Sequence, residues 1–154
     1  MTIEINGKDC RCGSNGCWEL YASERALLMK AKQSGLQQEL DDDVTLEQIT
    51  ELAEKGNPSA IQLFDEIAEY LGMGINNIIN IFNPEQVIIG NRMAEAERWL
   101  KQPLIDWIEK QSLWFNKEDL SIDFSNLRTH STALGVAAFS NEAFINRSLY
   151  RKSA

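Results

Sequence analysis

The sequence predicts a helix-rich α/β fold with few strands. From Trp18 onward, apolar residues recur three and four apart, the spacing of helices buried on one side. Only three short stretches, at 2–5, 86–90 and 120–124, alternate or run β-branched as strands do. At 154 residues and 44% hydrophobic, the chain is long enough for one domain with a sizeable core.

Thr2-Ile3-Glu4-Ile5 alternates polar and apolar and is expected as a short strand. Asn6 to Asp9 is a turn leading into a cysteine-rich loop. A helix is expected from Trp18 to about Gln33, with Leu20, Tyr21, Leu27 and Leu28 on its apolar side and Gly35 stopping it. The following acidic loop carries Asp41-Asp42-Asp43, a solvated surface. Thr45 and Gln48 form a capping box ahead of Leu46, Ile49, Leu52 and Ala53, and Gly56 ends that helix. Asn57 caps the longest helix and Pro58 suits its first turn. Its apolar positions run from Ile61 to Phe82 and broaden toward several sides, as in a central, buried helix. Gly72 and Gly74 inside it imply close approach of another element.

Asn83-Pro84 ends this helix, and Gln86 to Gly90 reads as a buried strand. A helix from about Met93 to Ser112 follows, with a break or kink near Pro103. Leu120 to Phe124 alternates as another strand. The final helix starts near Thr132, and Ala133, Gly135, Ala137 and Ala138 give it a small-residue face suited to tight packing. Three short strands are fewer than the ~4–6 of an ordinary sheet, so the chain is expected to be part of something larger.

The densest chemistry is Cys10-Arg11-Cys12-Gly13-Ser14-Asn15-Gly16-Cys17, followed by Trp18-Glu19; no other cysteine occurs. Three thiols around two glycines suit a metal loop, because Zn²⁺ takes four ligands and glycine lets backbone N–H groups turn toward sulfur. A Cys10–Cys17 disulfide would strand Cys12, and an odd count in a chain that reads as cytosolic argues against it. A free reactive thiol is the remaining alternative. The single histidine, His130, lies far from the loop and is not recruited as a ligand.

Formal net charge is −8, and the one basic cluster spans Arg147 to Lys152. This balance excludes direct DNA contact as the leading role of these residues. No run of 18 apolar residues is present to span a membrane. Small molecules or proteins, in the cytoplasm, are the expected partners.

With Cys10, Cys12, Gly13, Gly16, Cys17 and Glu19, the loop fills Cys-x-Cys-Gly-x-x-Gly-Cys-x-Glu and resembles the zinc signature of the ROK family of repressors and sugar kinases. The resemblance continues through 71–77, Ile81-Phe82-Asn83-Pro84-Glu85, Val87-Ile88-Ile89-Gly90 and Ala133-Leu134-Gly135-Val136-Ala137. It implies the C-terminal lobe of an actin-like ATPase or ribonuclease H-like fold, truncated, as a single partial domain over 1–154. The helix-turn-helix and the N-terminal lobe are then expected outside these residues. It implies a structural Zn²⁺ on Cys10, Cys12 and Cys17, and places the fourth ligand, a histidine, just before Met1. It also implies that Glu19 hydrogen-bonds a sugar hydroxyl; on spacing alone, Glu19 reads rather as a first-turn glutamate favoured by the helix dipole. Trp18 could stack on a sugar, but is more simply packing.

No catalytic residue of the family's kinases is found here, neither the phosphate loop nor the catalytic Asp. Where those kinases carry a glycine cluster near the nucleotide, this chain has Gly90-Asn91-Arg92-Met93. Either the loop has drifted or nucleotide binding has been lost. Together with 17–24 and 91–96, this resembles the family's xylose-responsive repressors of Gram-positive bacteria. The implied partner is a monosaccharide inducer, and an incomplete lobe is expected to form a homo-oligomer through its uncovered apolar surface.

Overall fold

A computed structural model describes residues 1–40, 43–111 and 120–150. Asp41 and Asp42 of the acidic loop, Ser112 at the expected helix end, Arg151, Lys152 and the side chain of Arg147 lie outside the described residues. The helices are α1 (Glu24–Gln33), α2 (Leu46–Glu54), α3 (Pro58–Phe82), α4 (Glu97–Gln111) and α5 (Ser131–Tyr150); the strands are β1 (Gln86–Ile89) and β2 (Ser121–Phe124).

Helix α3 is the axis of the molecule. The Asn57 side chain accepts from the N–H groups of Ser59 and Ala60, Pro58 opens the first turn, and Asn83 ends the helix in a left-handed conformation at φ 43°. Leu63, Phe64, Ile67, Leu71, Ile75 and Ile79 are buried along one stripe. Leu100, Leu104 and Ile108 of α4 pack against α3, while α1 and α2 cover it elsewhere. Each such side chain contributes roughly 1.5–3 kcal/mol on burial. The stripe does not reach the end of the helix: Ile81 and Phe82 are exposed. The capping box of α2 forms as expected, with Thr45 accepting from the Gln48 N–H and Gln48 accepting from the Thr45 N–H.

The two glycines of α3 are sites of close approach. A Cβ on Gly72 would come within 2.7 Å of the Trp107 ring, and one on Gly74 would collide with the indole of Trp18. Trp18 also donates from Nε1 to the Tyr70 carbonyl at 2.7 Å.

Three expectations need correction. Residues 2–5 form no regular strand; Thr2 makes a single antiparallel bridge to Cys17, because the partner segment is a tight loop rather than a strand. The helix expected over 18–33 is split into a 3-10 turn at Trp18–Leu20 and α1, since Ser23 caps a fresh start by accepting from the Ala26 N–H. Residues Arg92–Ala96 are likewise a 3-10 turn ahead of α4, and Pro103 sits inside that helix. The small-residue face of α5, suited to tight packing, is uncovered, as expected of an incomplete lobe: Ala133, Ala137 and Ala138 are exposed, and a Cβ on Gly135 would meet nothing within 4 Å.

Strands β1 and β2 pair in parallel, Gln86 opposite Ser121 through Ile89 opposite Phe124, as a two-stranded sheet. Expected as a buried strand, β1 instead buries Ile89 and leaves Ile88 61% exposed, because only one face meets the helices. The outcome is a helix-rich α/β fold with two parallel strands. Among the described residues, no helix is long and apolar enough to cross a membrane.

Candidate metal centre

The cysteine loop closes through its own backbone. The Cys10 N–H donates to the Ser14 carbonyl at 2.7 Å, the Gly13 N–H to Cys10 at 2.9 Å, and the Gly16 N–H to Lys8 at 2.8 Å. Gly13 and Gly16 take φ values of +87° and +62°, where a side chain is strained. Gly16 is needed twice over, since a Cβ there would strike the Glu4 carbonyl oxygen.

This folding brings the three sulfurs together, all within 4.8 Å of one another. Cys12 Sγ and Cys17 Sγ are 3.6 Å apart. Sulfurs bound at about 2.3 Å to a tetrahedral Zn²⁺ stand about 3.8 Å apart, so the spacing fits that ion. The thiols are free, with Cys12 exposed and the other two half-buried. The Ser14 backbone N–H, aided by the Cys10 and Cys17 thiols, draws the Cys12 thiol below its ordinary value. Hydrogen bonds from Cys12 and then Cys10 push Cys17 up to about 11. Of this pair Cys12 is the readier to lose its proton, and a bound cation would displace the protons of its ligands. Among the described residues, the ligand-type cluster comprises these three cysteines, and His130 does not join it.

The loop is fastened to the core on its far side. The Trp18 N–H donates to the Met1 carbonyl at 2.9 Å, and the Ile3 N–H to the Gly16 carbonyl at 2.9 Å. The buried Tyr21 accepts from the Lys8 N–H at 2.9 Å and leans on Tyr70 of α3, ring centroids 5.0 Å apart.

Glu19 lies in the 3-10 turn that follows Cys17. Its Oε1 accepts from Arg11 Nη2 at 2.9 Å, and its side chain remains 55% exposed. With Lys8, Cys10, Arg11, Ser23 and Met29 it lines a cavity of about 250 Å³. The Glu19 carbonyl accepts from Ser23 Oγ at 2.6 Å, which holds the turn against the start of α1. The loop after β1 is fastened as well. Asn91 sits at φ 59°, and Arg92 donates to Glu24 at 2.7 Å and to Glu47 at 2.8 Å, joining that loop to α1 and α2. Neither the Arg11–Glu19 pair nor the Arg92 bridge was expected. The first spans eight residues of irregular loop and the second crosses three elements, so no local spacing announces them.

The geometry has counterparts of known kind. The chain is 31% identical over 146 residues to the xylose repressor of Bacillus spizizenii, covering 95% of this chain and 36% of that protein. It thus spans about a third of the length of that relative. Its fold matches a solved ROK family transcriptional regulator, a homolog of the E. coli MLC protein, with TM-score 0.69 and 31% identity, covering 80% of this chain and 33% of that one. It also matches a ROK family glucokinase from Streptomyces griseus, solved with glucose and AMPPNP, with TM-score 0.71 and 28% identity, covering 84% of this chain and 46% of that one. The ROK family model matches residues 1–143, and the chain belongs to the ROK family.

Proposed function

We propose that this chain is the effector-binding portion of a cytoplasmic ROK-family repressor of xylose utilisation, with Zn²⁺ on Cys10, Cys12 and Cys17 and a sugar hydroxyl on Glu19. One observation carries the reading: a three-thiol cluster and an open carboxylate share one loop, and that loop is braced against the core helix. A carboxylate held still by a neighbouring metal loop suits a directional hydrogen bond to a hydroxyl. Arg11 occupies one oxygen of Glu19 and leaves the other free for a ligand. The xylose repressor relative supports the choice of sugar. When bound, Zn²⁺ acts as a staple for the loop and supplies no reaction chemistry. Thr2 pairs with Cys17 and the Met1 carbonyl accepts from the Trp18 N–H; a residue joined ahead of Met1, a water or a neighbouring chain would supply the fourth ligand.

In the intact repressor, the sugar would sit between these residues and a second lobe and bind the two regulatory states unequally; without unequal affinity no signal passes. The likeness to a glucokinase supports a second reading, a portion of a sugar kinase. The Arg92 bridge favours the repressor, because it fills with side chains a loop that the kinases leave to glycine.

Calorimetry on the full-length protein with xylose and glucose tests this. Glu19→Gln is expected to keep zinc and fold while weakening sugar binding at least severalfold, since a hydroxyl left unpaired costs ~1–3 kcal/mol. Unchanged sugar affinity in Glu19→Gln would overturn the site, and sugar-dependent ADP release would overturn the repressor reading. Elemental analysis should find about one zinc per chain. Protein prepared without chelator that carries no metal would remove zinc from the account.

A further inference from the structure

We infer that Cys12 and Cys17 form a reversible disulfide under peroxide, making the metal loop an oxidation site as well as a metal site. Their sulfurs are 3.6 Å apart, so a bond of about 2.05 Å requires an approach of about 1.5 Å. The loop is built for that movement at one end only. Cys17 is held: Thr2 bridges it, its carbonyl accepts from the Leu20 N–H at 2.9 Å, and the adjoining Gly16 is wedged against Glu4. Cys12 is exposed, and a Cβ on the Gly13 beside it would meet nothing within 4 Å, so although the Gly13 N–H holds the Cys10 carbonyl, the Cys12 side chain has open space to move through. Cys10 is the poorer partner. Its N–H and carbonyl are both tied within the loop, and it is separated from Cys12 by one residue, too short a span for an unstrained ring.

The step balances with hydrogen peroxide as oxidant. The exposed Cys12 sulfur attacks one peroxide oxygen, the O–O bond breaks, and the departing hydroxide takes up the Cys12 thiol proton as water, giving a sulfenic acid. The Cys17 sulfur then attacks the Cys12 sulfur and expels hydroxide, which takes up the released proton as water. Two sulfurs are oxidised by one unit each and one peroxide is reduced to two waters. With two of the three sulfurs joined, Cys10 alone cannot retain zinc, and the metal leaves as Zn²⁺.

The full chain, zinc-loaded and metal-free, is treated with hydrogen peroxide and followed by intact mass, peptide mapping, thiol titration and a chromogenic zinc chelator. Expected are a mass loss of two hydrogen atoms, a Cys12–Cys17 cross-linked peptide, a single titratable thiol at Cys10, and zinc release in step with the cross-link. Dithiothreitol with added zinc should restore the starting mass and metal content. Cys10→Ser should still form the cross-link in the metal-free state, and Cys12→Ser should not. Circular dichroism of each variant separates lost chemistry from lost fold. A cross-link through Cys10, oxidation of Cys12 to sulfinic acid with Cys17 untouched, or zinc release without any cross-link would each overturn the inference.

Discussion

Helices α3 and α5 are both strongly apolar in sequence, and the fold treats them in opposite ways. In α3, Phe64, Ile67 and Ile79 are fully buried, and Phe64 stacks on Trp99 with ring centroids 6.1 Å apart. In α5, Phe139 and Phe144 are about three-quarters exposed. The distribution of apolar residues explains the contrast. Those of the first half of α3 recur on one stripe, which one layer of neighbours covers. At about 100° per residue, Leu134, Val136, Phe139, Phe144 and Ile145 point to every side of α5. A helix apolar all round needs neighbours all round, and the described residues supply α5 with few.

Truncation of the two phenylalanines should separate the regions most sharply. Phe64→Ala should lower stability by about 3–5 kcal/mol, whereas Phe139→Ala should stay within about 0.5 kcal/mol, both read by urea unfolding. A large loss in Phe139→Ala that grows with protein concentration would show α5 covered in solution by a second copy, and would erase the contrast. Glycine replacement gives a smaller effect of opposite sign. Gly74→Ala drives a methyl group into Trp18 and should cost about 1–3 kcal/mol, with a shift in tryptophan emission and faster loss of metal. Gly135→Ala meets open space inside a helix and should gain about 0.5–1 kcal/mol. If Gly74→Ala leaves stability unchanged or raises it, the close contact of Trp18 with α3 is wrong.

The smallest effect belongs to Glu47, at the start of α2. Its own backbone N–H and then Arg92 hold its carboxyl below the ordinary 4.5. A depressed folded value means the stabilisation is present above about pH 4.5 and is lost as pH falls through the folded value. Since the Glu47 side chain is 60% exposed, solvent screening keeps the effect below ~1 kcal/mol. Glu47→Gln should therefore slightly flatten the decline in stability as pH falls below about 4.5. An unchanged profile would mean that the Arg92–Glu47 arm of the bridge holds no net energy.

Much of this molecule could be read from residue spacing. The capping box at Thr45 and Gln48, the Asn57-Pro58 start and the end at Asn83 depend on contacts within one turn, and each formed as expected. The thiol cluster was legible for the same reason, since the glycines that close it lie between the cysteines. Gly72 and Gly74 announced a close approach without naming the partner, because Trp18 and Trp107 come from remote parts of the chain. The division at Ser23 was hidden by an apolar pattern that runs through it, although the serine outcompetes the pattern as a cap. Burial of β1 was misjudged because apolar sequence states a need for cover and does not say what supplies it.

The two glycines of α3 have a mechanical consequence. Residues two apart on a helix face nearly opposite directions, so Trp18 and Trp107 grip the same level of α3 from either side, with bare backbone between them. A helix normally absorbs a neighbour's displacement by letting long side chains change rotamer. At this level there is nothing to yield. A displacement of Trp18 by the cysteine loop would therefore bear directly on the backbone of α3, and through it on Trp107 of α4.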